Sequence, residues 1–406
     1  MPRSLLLPGL VLLALPVSGV GQDVTILRVS QALDGRGAVL ENTSIVVEGS
    51  RIARIDNSTE TATYDLRGLT VLPGGIDTHT HIDWHFDPDG RLHHLSRDEE
   101  SPRQAMLYAV ENAYRTLMGG ITTVQNVGSR LDGDLRDAIA RGVIPGPRII
   151  TSLQSITENS GEPAEIRERV RALADDGADV IKIFASASIR VGGTPTMTQE
   201  QLDAACGEAS AQGLRTAVHA HGPESARRAV QAGCTSIEHG ALLDPETLTF
   251  MAEHGTYYDP NIHLIFQNYF DNKERYLGIG SYTEEGFAAM ERAVPRALEV
   301  FKQALRTPGL KVVFGTDAVA GAAGRNMEEL IYRVEVGGQD PMDAVISATS
   351  RAAESLRLSD TIGSIAPGME ADLIGVDGDP LQDITALRRV VFVMKSGVVF
   401  KNVARR

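Results

Sequence analysis

The order of apolar and polar positions divides the chain into three stretches. From Val24 to Leu72 apolar residues come in short runs: Val24 to Val29, Ser44 to Val47, Arg51 to Ile55 and Thr70 to Leu72, with Gly, Asn and Asp between them. That texture predicts strands joined by tight turns. It returns near the other end, in Ala371 to Val376, Val390 to Met394 and Val398 to Phe400. The two ends read as halves of one small β-sandwich domain, residues 22–72 and 361–406. A domain built from both ends makes the middle an insertion whose own ends lie close together.

The middle, residues 73–360, alternates two periods. Candidate strands are Gly75 to His79, Ile121 to Val127, Arg148 to Leu153, Asp179 to Phe184, Arg215 to His219, Ser236 to His239, Thr256 to Asp259 and Lys311 to Gly315. Amphipathic helices lie between them, among them Ala105 to Met118, Glu165 to Asp175, Gln199 to Gln212 and Glu285 to Ala304. Gly119, Gly177, Gly213, Gly233 and Gly255 stand where helices should stop. Eight such units predict an α/β fold, a (β/α)8 TIM barrel carrying the terminal β-domain.

Composition narrows the partners. The 406 residues are 42% hydrophobic and 23% charged, with a net charge of −14. An acidic chain argues against nucleic acid and against anionic membrane surfaces. Residues 1–21 are expected to be a cleavable signal peptide: Arg3, an apolar run from Leu5 to Leu15, then Gly19-Val20-Gly21 before Gln22. Export, to a periplasm or the medium, is the localisation this implies. Cys206 falls mid-helix and Cys234 opens a strand, so two isolated, partly buried thiols are expected, and neither has a zinc-ligand spacing.

A barrel places its chemistry at the C-terminal ends of its strands. The first ends in Val71-Leu72-Pro73-Gly74-Gly75-Ile76-Asp77-Thr78-His79-Thr80-His81. Residues i and i+2 of a strand share a face, so His79 and His81 can chelate one divalent ion. Alone, such a pair is equally a set of turn histidines. Lys182 lies inside Val180-Ile181-Lys182-Ile183-Phe184, where an unpaired ammonium is costly and needs a partner or a modification. The fifth strand ends in His219-Ala220-His221, the sixth in Glu238-His239 and the eighth in Thr316-Asp317. Asp317 could simply cap a helix; beside metal ligands it is the natural carboxylate for metal and proton.

In chain order, His79-Thr80-His81, Lys182, His219, His239 and Asp317 resemble the amidohydrolase superfamily. Leu72-Pro73-Gly74-Gly75-Ile76-Asp77 is similar to that family's approach to its first strand. Ile365-Ala366-Pro367-Gly368-Met369-Glu370-Ala371-Asp372-Leu373-Ile374 is similar to its return to the β-domain. Lys182 points to the binuclear branch, in particular to zinc-dependent Xaa-Pro dipeptidases, carboxypeptidases and ochratoxin-type amide hydrolases. The resemblance implies two Zn2+ per chain, with Lys182 carboxylated by CO2 and bridging them. His79, His81 and Asp317 would hold one ion, His219 and His239 the other. His221 remains an alternative ligand to His219, or a substrate contact. The implied reaction is hydrolysis of an amide or peptide bond by water activated between the metals, with Asp317 taking its proton. The substrate is then a dipeptide or N-acyl amino acid, and a homo-oligomer is the assembly expected by analogy.

The chain also departs from the family. The loop Ser155 to Pro163 is short and lacks histidine, where many relatives carry a longer one with histidine. Arg190, in Ser186 to Gly193, is either a solvated loop charge or a clamp on a substrate carboxylate. Tyr257, Tyr258 and His263 are further candidate substrate contacts. Trp84 and His85 line the mouth or merely pack. Two enzymatic alternatives use the same scaffold: a cyclic-amide hydrolase and a deaminase. A mononuclear deaminase would typically carry Glu three residues after His219, where this chain has Gly222. A metal-binding barrel without catalysis is the non-enzymatic alternative.

Overall fold

The computed structural model describes residues 24–57, 61–94 and 100–403. The expected signal segment, residues 1–21, lies outside the described residues. The two chain ends meet in one continuous eight-stranded sheet. Its order is Val398–Asn402, Val390–Lys395, Leu373–Val376, Thr70–Pro73, Val24–Leu33, Val39–Glu48 and Arg51–Asp56, with Tyr64–Asp65 paired on Val24–Leu33. The join is antiparallel, Leu373 opposite Pro73 and Val376 opposite Thr70. Leu27, Ile45 and Val71 from one end pack with Leu373, Phe392 and Met394 from the other. Burying this shared apolar face is what draws segments so distant in sequence together.

Between them, seven of the predicted strands form at nearly the expected bounds, all in parallel pairings. Gly75–Thr80, Ile121–Asn126 and Arg148–Thr151 make a three-stranded sheet. Val180–Phe184, Arg215–Ala220, Ser236–His239 and Tyr257–Asp259, with the short Ser155–Ile156, make a five-stranded one. Asp179 N–H donates to Thr151 O (2.7 Å) across the gap between the sheets.

The predicted eighth strand, Lys311 to Gly315, is not a regular strand. Val313 N–H donates to Tyr258 O and Thr78 N–H to Phe314 O, so the segment bonds first to one sheet and then to the other. Three of its carbonyls are taken from the ladder: Val313 O and Gly315 O accept from the buried Arg333 guanidinium, and Val312 O accepts from Arg351. Arg333 sits between Phe301 and Phe314 and pairs with Glu329. No spacing along the chain announces that capture.

The helices follow their caps. Pro102–Met118 starts at Ser101, whose hydroxyl accepts from Gln104 N–H, and Gln199–Ala211 starts at a Thr198/Gln201 capping box. Gly119 does not take the left-handed turn expected of it; Gly120 does, at φ 96°. The cysteines are also not isolated thiols. Cys206 and Cys234 form a disulfide, their Cα atoms 5.2 Å apart. The helices Gln199–Ala211 and Pro223–Gln231 lie against each other, so a mid-helix position meets the residue after the next turn.

Candidate metal centre

His79 and His81 leave the first strand end on one face, ring centroids 5.5 Å apart. His79 Nδ1 lies 3.0 Å from Glu238 Oε2. That contact orients the ring and leaves Nε2 turned inward as a lone pair. There Nε2 is 3.1 Å from Lys182 Nζ and 3.5 Å from Asp317 Oδ1. His81 Nε2 lies 3.1 Å from the same Asp317 oxygen. His79, His81 and Asp317 can each point a donor atom into a space under 4.8 Å across.

The neighbouring parallel strands bring the other imidazoles to the same end. Phe184 stands opposite His219, and Ala220 opposite His239. Ring centroids are 4.6 Å apart for His219 and His239, 5.0 Å for His221 and His239, and 5.1 Å for His79 and His239. His239 and Asp317 both adopt positive φ, 68° and 52°. For side-chain-bearing residues that conformation costs about 1–3 kcal/mol each. Packing compensates: Tyr258 Oη donates to His239 O (3.1 Å), and Asp317 N–H donates to His79 O (2.8 Å). At Gly193, which packs on His221, any Cβ would come within 2.7 Å of the His221 Cβ.

Burial sets the charge states. It lowers the pKa of His79, with Lys182 adding to the effect, and takes His219 and His239 well below the usual imidazole range. His221 falls to about 3, through burial and then the Arg190 charge. Lys182 is pushed down by burial, against the pull of Glu238, Asp317 and Asp259. Burial works to raise Asp317, but His79, His81 and Lys182 outweigh it and hold the carboxylate below its ordinary range. Beneath them, Asp77 is driven up to about 7 by burial although Thr316, Asn326 and two backbone N–H groups donate to it. Asp77 thereby ties the strand of His79 to the segment of Asp317.

Neutral imidazoles beside an ionised carboxylate are donors suited to a borderline divalent cation. His219 Nε2 is buried and has no hydrogen-bond partner among the described residues. A metal would satisfy it, so the donor set fits the group.

The centre opens into a cavity of about 160 Å3. His79, His81, Lys182, His219, His221, His239, Asp317 and Arg190 all line it. Arg190 is not a free loop charge. Its Nε donates to Ser281 Oγ (2.9 Å), and its guanidinium carbon lies 3.8 Å from the Tyr282 ring centroid. Trp84 also lines the cavity, 5.1 Å from the His81 ring.

Three expected substrate contacts do not reach it. The Tyr258 side chain is fully buried behind the His239 backbone, because the short strand Tyr257–Asp259 turns it into the core. His263 stacks on Tyr332, centroids 4.1 Å apart, outside the cavity lining. Tyr257 meets Lys311 instead. Sequence reasoning missed Glu238, whose signal was a carboxylate in the apolar run Ile237-Glu238-His239. It also missed Asp77, Tyr269 and Tyr282; the two tyrosines come from a segment with no pattern pointing to the site.

Comparison with known proteins gives the family. Residues 70–400 match the model of the Amidohydrolase family. An ochratoxinase from Aspergillus niger is 26% identical over 428 aligned residues, covering 93% of this chain and 87% of that protein. The crystal structure of a Xaa-Pro dipeptidase with bound methionine in its active site is 32% identical, with a TM-score of 0.84, covering 94% of this chain and all of that one. A prolidase complexed with N-methylphosphonate-L-proline is 26% identical over the same shares of both chains, with a TM-score of 0.81.

Proposed function

The chain belongs to the amidohydrolase family, which makes it a metal-dependent hydrolase of amide bonds, and we propose that it releases an amino acid from a dipeptide or N-acyl amino acid. The observation that carries this is the convergence of His79, His81, Asp317 and Lys182 at the floor of a cavity walled by Arg190. A prolidase and an ochratoxinase among the relatives support the substrate class. We take the catalytic domain as a barrel over residues 73–360 and the terminal sheet as its companion domain.

In this reading His79, His81 and Asp317 hold one zinc ion and His219 and His239 a second. Two such ions would acidify a water and polarise the scissile carbonyl. The chain's own residues do the rest. Burial lowers the Lys182 pKa, which favours the free amine that adds to carbon dioxide. The Nζ lone pair forms the N–C bond, a C=O π pair moves to oxygen, and the nitrogen loses a proton to water, leaving a carbamate anion whose oxygens would be available to the metal ions. Asp317 stays ionised, takes the proton of the attacking water at a carboxylate oxygen and returns it to the leaving amine. Arg190 holds the substrate α-carboxylate, and Phe184, Tyr269 and Tyr282 exclude solvent. The Cys206–Cys234 bridge fits an oxidising, extracytoplasmic location.

Metal analysis beside a screen of N-acyl amino acids and Xaa-Pro dipeptides tests the proposal. Hydrolysis, together with two zinc per chain that Lys182→Ala loses along with the activity, is the expected result. A fully metal-loaded chain that cleaves none of these would overturn it.

A further inference from the structure

Outside the cavity, a second set of metal-ligating side chains is buried under the hairpin His85–Phe86 and Leu92–His93. His85 Nε2 lies 3.1 Å from Glu100 Oε1, and His93 Nδ1 lies 3.8 Å from Glu100 Oε2. The three side chains are only 4%, 10% and 6% exposed. Their donor atoms fall within 4.8 Å of one another. None of them lines the catalytic cavity.

The far nitrogen of each ring is already committed. His85 Nδ1 is 2.9 Å from the Asp83 carbonyl oxygen, to which it can only donate. That leaves Nε2, the other ring nitrogen, facing a Glu100 carboxylate oxygen. His93 Nε2 is 3.1 Å from Asp87 Oδ2, again as donor, which turns Nδ1 toward the other Glu100 oxygen. One divalent cation can be reached by a nitrogen of each ring and by the Glu100 carboxylate together, because these atoms lie within 4.8 Å of one another. Outward acceptors that orient the imidazoles are the usual support of a histidine metal site.

We infer that His85, His93 and Glu100 form a separate site for a borderline divalent cation of the zinc or cobalt type. Two imidazoles and a carboxylate suit such an ion, with a fourth position left for water. The site would staple the hairpin to the start of the helix Pro102–Met118, whose Tyr108 ring stacks on His85 at 3.9 Å. The hairpin also carries Trp84, which stacks on His94 (4.6 Å) and walls the catalytic cavity. The ion therefore acts as a structural brace for that wall.

The test counts metal in the full chain. The purified protein is stripped with chelator, reloaded with Co2+, freed of excess, and assayed for cobalt per chain, with circular dichroism as a check of fold. His93→Ala and Glu100→Gln are each expected to hold one equivalent fewer than the unaltered chain. Their thermal midpoints should respond less to chelator. Because the readout is a difference of one, it does not depend on how many ions the central site takes. Equal cobalt content in the unaltered chain and in folded variants overturns the inference and leaves an ordinary imidazole–carboxylate cluster. Should His93→Ala fail to fold, the near-isosteric Glu100→Gln carries the comparison.

Discussion

Replacing Arg190 with methionine separates recognition from chemistry. The guanidinium lies on the Tyr282 face at 3.8 Å and is anchored through Nε to Ser281 Oγ, so it is held in place before substrate arrives. A hydrogen bond to a charged group contributes about 1.5–3 kcal/mol. At about 1.4 kcal/mol per tenfold, losing that contact lowers kcat/KM about 10- to 150-fold for substrates with a free carboxylate. The loss should fall mainly on KM, because the carboxylate is held alike in ground and transition states. The assay compares an N-acyl amino acid with its carboxamide in the unaltered chain, Arg190→Met and Arg190→Lys. Methionine preserves most of the contact with Tyr282 but removes the charge, and lysine keeps charge without the planar fork, so an intermediate loss is expected. Thermal midpoints of all three guard against a loosened loop. An equal drop for acid and amide, or no drop for either, refutes the clamp and leaves Arg190 as a packing residue.

Three further outcomes follow from the structure. Removing the Cys206–Cys234 bridge, which closes a separation of 28 residues, should destabilise the chain by about 3–4 kcal/mol from loop entropy; denaturation with and without reductant measures it, and identical curves for the fully reduced protein would contradict this. Tyr258→Phe frees the His239 carbonyl and should cost about 1–2 kcal/mol of stability with KM unchanged; a raised KM at full stability would instead return Tyr258 to the substrate. Burial, then the Arg148 charge, lowers the Lys395 pKa from 10.5 to about 8, although Nζ donates to Gly146 O. Between those pH values the unfolded chain binds the extra proton, so stability should rise with pH from 8 to 10.5 and the native ammonium should cost up to about 3 kcal/mol below pH 8. Urea titrations should show that slope in the unaltered chain and lose it in Lys395→Met; an unchanged slope would assign it elsewhere.

Much of the candidate site could be read along the chain because its side chains stand within strands or at their ends. His79 and His81 follow an apolar run at a spacing of two, Lys182 interrupts another, and His219, His221, His239 and Asp317 close three more segments. Period and residue type are local properties, and they were enough for seven of the predicted strands, the four named helices and the row of side chains that the fold gathers around one cavity. Lateral distances are not local. The sequence held no sign that Glu238 would meet His79 Nδ1, that Asp77 would tie two segments together from below, or that Arg190 would lie on Tyr282.

The misplaced expectations share that cause. Lys311 to Gly315 has strand composition, but Arg333, from a helix about twenty residues on, takes two of its carbonyls. Tyr258 and His263 sit at the right end of the fold, yet a short strand turns one into the core and Tyr332 captures the other ring. Cys206 and Cys234 are paired by the contact of two helices, which no spacing encodes. What the sequence determined by itself was which chemistry stands at the mouth of the fold. Only the tertiary structure decided which side chains meet there, because packing and the pairing of buried polar groups are settled between distant segments.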